Sequence, residues 1–229
     1  MVQSRYTLGM LSRLELLIDL LHSASEAALA TLSAQLPGYP FTSAVPFVTD
    51  EQHRPILLLS ALAEHSKNLA ADPKASLMIV KSLGEGEMAR VSLVGEIHRI
   101  EPESRLTQRY LRYHPPAERF LQLGDFCFHR FESLRILTVG GFAQARWLEG
   151  ERIHESSPLP LAEEADLIEQ VTVLPESGAK ILGIDRYGVD LLSVGARQRL
   201  RFQTGPVTTD ALLPTVMREL RAFGISPDA

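Results

Sequence analysis

Between Ala28 and Leu148 the apolar residues arrive in short runs of strand length, each closed by turn-forming residues. No other feature of the 229-residue chain narrows its fold so far. Runs this short cannot make long helices; they must pair with their neighbours to bury their apolar faces. Ala28–Ser33 is followed by the turn Leu36-Pro-Gly-Tyr-Pro40, Phe41–Thr49 by the polar tip Asp50-Glu-Gln-His53, and Ile56–Ser60 is apolar until its last residue. Two tight connections in so short a stretch argue for an antiparallel sheet. Further strands are predicted at Ala75–Val80, Arg90–Ile100, Phe126–Phe131 and Ile136–Leu148. A turn at Gly84-Glu-Gly-Glu87 separates two of them, and a bulge or bend is expected at Gly140-Gly141. Helices interrupt the series at Ala61–Ala71, which stops before Asp72-Pro73, and at Glu103–Tyr113, which stops at His114-Pro-Pro116. A sheet-rich stretch with this alternation commonly closes into a barrel, which removes its edge strands.

The flanks read differently. Leu11, Leu14, Leu17, Ile18 and Leu21 recur at helical spacing, so residues 1–25 carry an N-terminal helix with one apolar face. Residues 151–160 are polar, contain two prolines and read as a linker. Beyond them, 161–229 read as helix, three short strands and helix: Leu161–Leu174, Lys180–Ile184, Gly188–Ser193, Gln198–Phe202 and Thr208–Phe223, with Thr208 or Thr209 as cap. The expected class is therefore α+β: an antiparallel barrel over 26–150 with inserted helices, plus a small C-terminal α/β domain.

Composition sets limits on function. A net charge of −5 argues against nucleic acid or anionic lipid as a default partner. The one cysteine, Cys127, excludes an intramolecular disulfide and a Cys-rich zinc site. The Leu14–Leu21 run holds Glu15 and Asp19 and cannot span a bilayer, and the first residues lack a secretory pattern, so a cytoplasmic protein is expected. Dinucleotide, P-loop, metalloprotease and nucleophile-elbow motifs are absent. The seven histidines (22, 53, 65, 98, 114, 129 and 154) show no helical i, i+3 or i, i+4 pair. Glu163 and Glu164 open a helix and read as solvated acids favoured by its dipole.

The informative stretch is the passage from strand to helix at Arg54–Pro73. A helix start offers free backbone N–H groups, and Ser60, His65, Ser66 and Lys67 can add donors, which together make a cradle for a phosphate or carboxylate. An ordinary strand-to-helix turn with Lys67 in solvent is the competing reading.

Here a resemblance enters. Ala28-Leu-Ala-Thr-Leu32, Gly38-Tyr-Pro-Phe-Thr-Ser-Ala-Val45, Ser60-Ala-Leu-Ala-Glu-His-Ser-Lys-Asn-Leu69, Arg90-Val-Ser-Leu-Val-Gly95, Tyr113-His-Pro115, Gly124-Asp-Phe-Cys-Phe128 and Gly140-Gly-Phe-Ala-Gln-Ala145 follow in order. This series resembles the FMN-binding split barrels related to pyridoxamine 5'-phosphate oxidase, and more narrowly their haem-utilisation, HugZ-type branch. Gly183–Leu191 and Arg199–Phe202 resemble the small domain often fused to them. The resemblance implies an antiparallel split β-barrel and a homodimer with ligand clefts shared between subunits. It implies haem or FMN as ligand, with Ser60, His65, Ser66, Lys67, Asn68, Arg90 and Arg135 as cofactor-binding residues and His65 as iron ligand. His129 and His154 are the other histidines weighed as iron ligands. Glu64 and His65 stand where the oxidases carry Arg and Lys, and Glu164 stands where the fused domain usually carries His. Three functions follow from it: haem binding with or without degradation, FMN-dependent oxidoreduction, and a non-catalytic binding module of tetrapyrrole metabolism.

Overall fold

The computed structural model describes residues 12–84, 87–140, 145–173, 178–203, 205–225 and 227–228. Leu11, most of the Gly84–Glu87 turn and Gly141 lie outside the described residues or their side chains, and so does Leu174.

Helix α1 (Arg13–Ser23) starts at a capping box. The Ser12 hydroxyl accepts from the Glu15 N–H, and the Glu15 carboxylate accepts from the Ser12 N–H. Strands β1 (Glu26–Leu32), β2 (Pro40–Thr49) and β3 (Pro55–Ser60) follow, then α2 (Glu64–Ala71), β4 (Lys74–Gly84), β5 (Glu87–Arg99), α3 (Ser104–Tyr113), a short α4 (Glu118–Leu121), β6 (Phe126–Gly140) and β7 (Ala145–Glu149). All the pairings are antiparallel, in the order β3-β2-β1-β4-β5-β6-β7, and β3 also pairs with β6. That last pairing closes six strands into a barrel and leaves β7 as an extra strand on β6.

The two strands predicted at Phe126–Phe131 and Ile136–Leu148 are thus one long strand to Gly140 followed by β7. What bends β6 is a register shift opposite Val94/Gly95. Gly95 is required there, because a Cβ on it would stand 1.9 Å from the Glu132 carbonyl oxygen. Inside, Leu29, Phe47, Leu57, Leu77, Leu93, Phe131 and Ile136 form the core, and Leu16, Leu17, Leu20 and Leu21 of α1 pack into the same cluster. Each of these side chains contributes about 1.5–3 kcal/mol on burial.

The C-terminal unit consists of α5 (Leu161–Gln170), β8 (Thr172–Val173), β9 (Ala179–Asp185), β10 (Gly188–Ser193), β11 (Ala196–Arg201), α6 (Thr209–Ala222) and β12 (Pro227–Asp228). Its sheet runs β11-β10-β9 and carries its own core around Val189, Leu191, Phe202, Leu212 and Leu220. Thr208 occupies the N-cap of α6 without a side-chain bond. The segment between the units packs on both: Ile153, in a 3-10 turn at Gly150–Glu155, joins the barrel core, and Leu159 joins the C-terminal core. Helix α3 is wedged at the junction, where Leu106, Tyr110 and Tyr113 meet Leu58, Phe128 and Leu182. Among the described residues no helix is long and apolar enough to cross a membrane.

Candidate functional site

The end of β3, the first turn of α2 and the loop after α3 surround a cavity of about 360 Å³. Its walls are mainly apolar, with Val45, Leu58, Ala63, Phe120 and Phe126 among them, and its polar groups are few: Ser60, His65, Tyr110 and His114. Phe120 and Phe126 stack at 4.8 Å, and the Arg119 guanidinium lies 4.7 Å from the Phe120 ring. An apolar cleft with a few convergent polar groups is the usual form of a small-molecule site.

Both imidazoles are poised as free bases. Burial lowers the pKa of His65 and of His114. His65 holds Nδ1 at 3.1 Å from the Ser43 hydroxyl, leaving Nε2 for another partner. His114 follows the last turn of α3, and its Nε2 lies 3.0 Å from the Phe47 carbonyl oxygen. A carbonyl only accepts, so Nε2 carries the proton and Nδ1 the lone pair. In the sequence His114 reads as a helix stop and is not among the selected site residues; the fold brings it to the cavity.

The structure distributes the other sequence-selected residues widely. Ser60 lines the cavity, but its hydroxyl donates to Asp125 at 2.6 Å and accepts from the Leu62 N–H at 3.2 Å. The Ser66 hydroxyl is buried without a hydrogen-bond partner among the described residues. Lys67 is exposed, 3.9 Å from Glu64, which also accepts from Gln35. The cradle at the start of α2 therefore carries an acid and a cation already facing each other. Asn68 is fully buried and is not available to a ligand: it donates to the Thr31 hydroxyl at 3.0 Å and accepts from the Ala34 N–H at 2.8 Å, pinning the turn after β1. Arg90 and Arg135 do not reach the cavity; they stand exposed on the outer face of the sheet, Arg90 between Val80 and Val139. Arg135 lies over the Trp147 ring at 4.8 Å and 3.6 Å from Glu149. His129 is bonded to the Cys127 carbonyl at 3.0 Å, and His154 is exposed.

A second polar assembly fills the junction between barrel and C-terminal unit. Glu164 corrects the sequence reading: it is 2% exposed rather than solvated. It accepts from Arg109, from the Ile184 N–H at 3.0 Å, and faces Arg112 at 3.1 Å. Asp190 accepts from Tyr113 at 2.5 Å, from Arg199 at 2.8 Å and from His22 Nδ1 at 2.7 Å. Burial alone would raise the Asp190 carboxyl, but Arg199 and His22 outweigh it and hold it well below the carboxylate range. The same balance, led by Arg199, holds Asp185 down at about 2. His22 Nε2 meets His53 Nδ1 at 2.9 Å. Helix α1, the β2–β3 hairpin and β9–β10 thus supply one continuous network, invisible in the linear sequence because its histidines are far apart.

A six-stranded antiparallel barrel with inserted helices, an apolar cleft at one end and a small α/β unit docked beside it define a protein of the split-barrel class. Residues 18–155 match the model of the CREG β-barrel family, and the chain belongs to that family. It is 30% identical over 203 residues to the non-canonical heme oxygenase HOZ, chloroplastic, of Arabidopsis thaliana. That match covers 79% of this chain and 63% of the plant protein, so the chain spans less than two thirds of its length. The heme oxygenase HutZ of Vibrio cholerae is 30% identical over 132 residues, 54% of this chain and 73% of HutZ. Among solved structures, a heme binding protein from Mycobacterium smegmatis superposes with a TM-score of 0.60 at 27% identity, covering 93% of this chain and 98% of that one.

Proposed function

We propose that this protein binds haem in the cavity beside α2, as a member of the haem-utilisation branch of its family. The observation that carries the reading is the pairing of an apolar cleft with a neutral, oriented imidazole. His65 is held at Nδ1 by Ser43, its Nε2 has no hydrogen bond among the described residues, and burial disfavours its protonation. A histidine fixed through one nitrogen and open at the other is suited to bind iron. Phe120 and Phe126 offer a flat wall for a macrocycle, and Arg119 at that wall is a cation for a propionate. The names of the relatives support the same ligand. Bound haem would supply redox and O₂ chemistry; this chain's residues orient it and exclude water from the face they cover. Flavin is the weaker reading, because Glu64 and Lys67 face each other where an FMN phosphate would need uncompensated cations.

The functional unit proposed is a homodimer. Met78, Ser92, Leu137 and Trp147 are cross-strand partners in one row running over β4, β5, β6 and β7 on the outside of the barrel. Val80, Met88 and Val94 are exposed on the same two strands, β4 and β5. A flat face with this much exposed apolar surface marks an interaction site, and a second copy of the same face is self-complementary. The single, half-buried Cys127 suits a reducing compartment, and we place the protein in the cytoplasm.

Titration of the purified protein with haemin tests the reading. A Soret band saturating at one haem per chain, and shifted in His65→Ala, is the expected result. A saturable FMN complex with no haem complex would replace it with the flavin reading.

A further inference from the structure

Strand β11 reads Ala-Arg-Gln-Arg-Leu-Arg from Ala196 to Arg201, so its three arginines share one face. Arg199 is matched by Asp185 at 2.9 Å and Asp190 at 2.8 Å. Arg197 has no such match. Its Nη1 donates to the Ala24 carbonyl at 2.5 Å and its guanidinium lies 4.8 Å from the Tyr113 ring centre, but it forms no ion pair among the described residues. The N–H groups on Nε and Nη2 have no acceptor there. The side chain is only half-buried, so an anion can reach them. A two-residue turn, Val194-Gly195, fixes the register that sets Arg197 opposite Leu192. Both turn residues have positive φ, 51° and 75°, as such a hairpin demands, although a β-branched valine tolerates it poorly.

The buried acids of the junction are all engaged elsewhere. Glu164 faces Arg109 and Arg112, Asp185 and Asp190 share Arg199, and Asp19 faces Lys81. Glu26, two residues beyond Ala24, is exposed and forms no ion pair among the described residues. Glu164, Asp185 and Asp190 thus stand against four guanidiniums, those of Arg109, Arg112, Arg197 and Arg199, and one positive charge is left over. Protonation follows the same division. Burial disfavours the charge of Arg109, Arg199 and Arg197 alike. At Arg109 and Arg199 the neighbouring carboxylates outweigh it and the pKa rises; at Arg197 burial prevails and the pKa is lowered. A planar guanidinium held in place with open N–H groups is suited to receive a carboxylate.

The ligand cavity adjoins this spot. Ala24 leads into β1, whose Glu26 pairs with Pro46 of the cavity wall, and His114 of the same wall donates to the Phe47 carbonyl on the next residue of β2. Tyr110 and His114 are shifted mainly by burial, and both also feel the charge of Arg197. No lysine or arginine is among the residues lining the cavity. A haem stacked on Phe120 and Phe126 carries its two propionates at one edge, and neither can rest among apolar walls without a cation. We propose that Arg197 anchors one carboxylate of the ligand held in the cavity, so that the C-terminal unit completes a site whose other walls come from the barrel and its helices. The inference rests on the haem reading and leaves Arg119 for the second propionate. It makes Arg197 a specificity-determining residue, selecting a tetrapyrrole with a free acid group.

The test titrates full-length protein with ferric haem and with its dimethyl ester, which lacks both anionic groups, and follows the Soret band. Wild type is expected to bind the diacid at least about tenfold more tightly than the ester. In Arg197→Gln that preference should shrink by about tenfold, the effect of one lost charge-assisted hydrogen bond, while affinity for the ester stays unchanged. The midpoint of the ligand-free variant should stay within about 2 °C of wild type, because the charge removed has no acid partner in the protein. Arg197→Met, which keeps the stem over Tyr113, gives the same measurement should Arg197→Gln fail to fold. A wild type that binds neither porphyrin overturns the haem reading and this inference with it. A wild type that binds both forms equally, or a folded Arg197 variant with an unaltered preference for the diacid, overturns this inference alone.

Discussion

Replacing Glu164 by alanine separates two pictures of the same residue. As one of two acids at the start of a helix, it would be a surface group, and its loss would change stability by no more than about 0.5 kcal/mol. In the structure its carboxylate is 2% exposed, bonded to Arg109 and to the Ile184 N–H, and faced by Arg112. Arg109 is itself buried. Burial opposes its charge, and the neighbouring Glu164 restores it, so its pKa is raised rather than lowered. Glu164→Ala therefore strands a buried guanidinium and an amide N–H. Breaking a buried pair from one side costs about 3–5 kcal/mol. For a chain of this size each kcal/mol moves the thermal midpoint by about 2–4 °C, so a fall of roughly 6–20 °C is expected by calorimetry. Glu164→Gln, which keeps the acceptor for Ile184 but not the charge, should fall between. Asp166→Ala, exposed on the same helix, is the control and should shift it by less than about 2 °C. A midpoint for Glu164→Ala within about 2 °C of wild type would refute the docking of the two units through this pair.

Three further outcomes follow from the cavity, the sheet face and the buried histidines. Ala44 lines the cavity from an exposed position on β2, so Ala44→Phe should weaken haem binding at least tenfold (about 1.4 kcal/mol) while leaving the unfolding midpoint unchanged. Unaltered affinity by haemin titration would move the ligand elsewhere. Leu137→Glu puts a charge in the middle of the outer apolar row, and light scattering should show a dimer becoming a monomer. His114 and His129 have pKa values lowered by burial, so below about pH 6.5 the unfolded chain takes up protons that the folded protein excludes. Stability should accordingly fall as pH drops from 7.5 to 5.5, and urea midpoints should fall less steeply in His114→Gln.

The barrel was legible because its determinants are local. Period-two alternation, the Leu36–Pro40 and Asp50–His53 turns and the proline stops at Pro73 and Pro115 each act within a few residues, and β1 to β5 fall close to where these signals place them. The error at β6 has the same origin. A strand that carries an extra residue, Leu134, opposite the Val94–Gly95 step interrupts its own alternation, and the pairing that tolerates it is set by Gly95 on a different strand. The site was legible only in part. His65 and Ser60 lie within one strand-to-helix passage and reach the cavity together, whereas Asn68, on the same helix, turns inward to Thr31. Arg90 and Arg135 pair in the sheet with their side chains on the outer face, a fact fixed by register and not by composition.

Helix α3 shows most plainly why the rest stayed hidden. Read alone, Glu103–Tyr113 is only a helix between two strands that stops at His114-Pro-Pro116. In the fold Arg105 and Gln108 stay exposed, but two adjoining faces are covered. Tyr110 lines the cavity, while Arg109 and Tyr113, on the adjoining face, bond Glu164 and Asp190 of the C-terminal unit. A polar helix face reads as solvated only until another domain brings complementary charge to it, and here that charge comes from residues more than fifty positions downstream. Gly183 makes the fit dependent on that docking: a Cβ there would stand 2.0 Å from the Tyr113 hydroxyl. The same helix therefore couples the two units. A change that loosens Glu164 or Asp190 acts on the helix that carries Tyr110 and ends at His114, and so it should be felt at the ligand cavity as well as in stability.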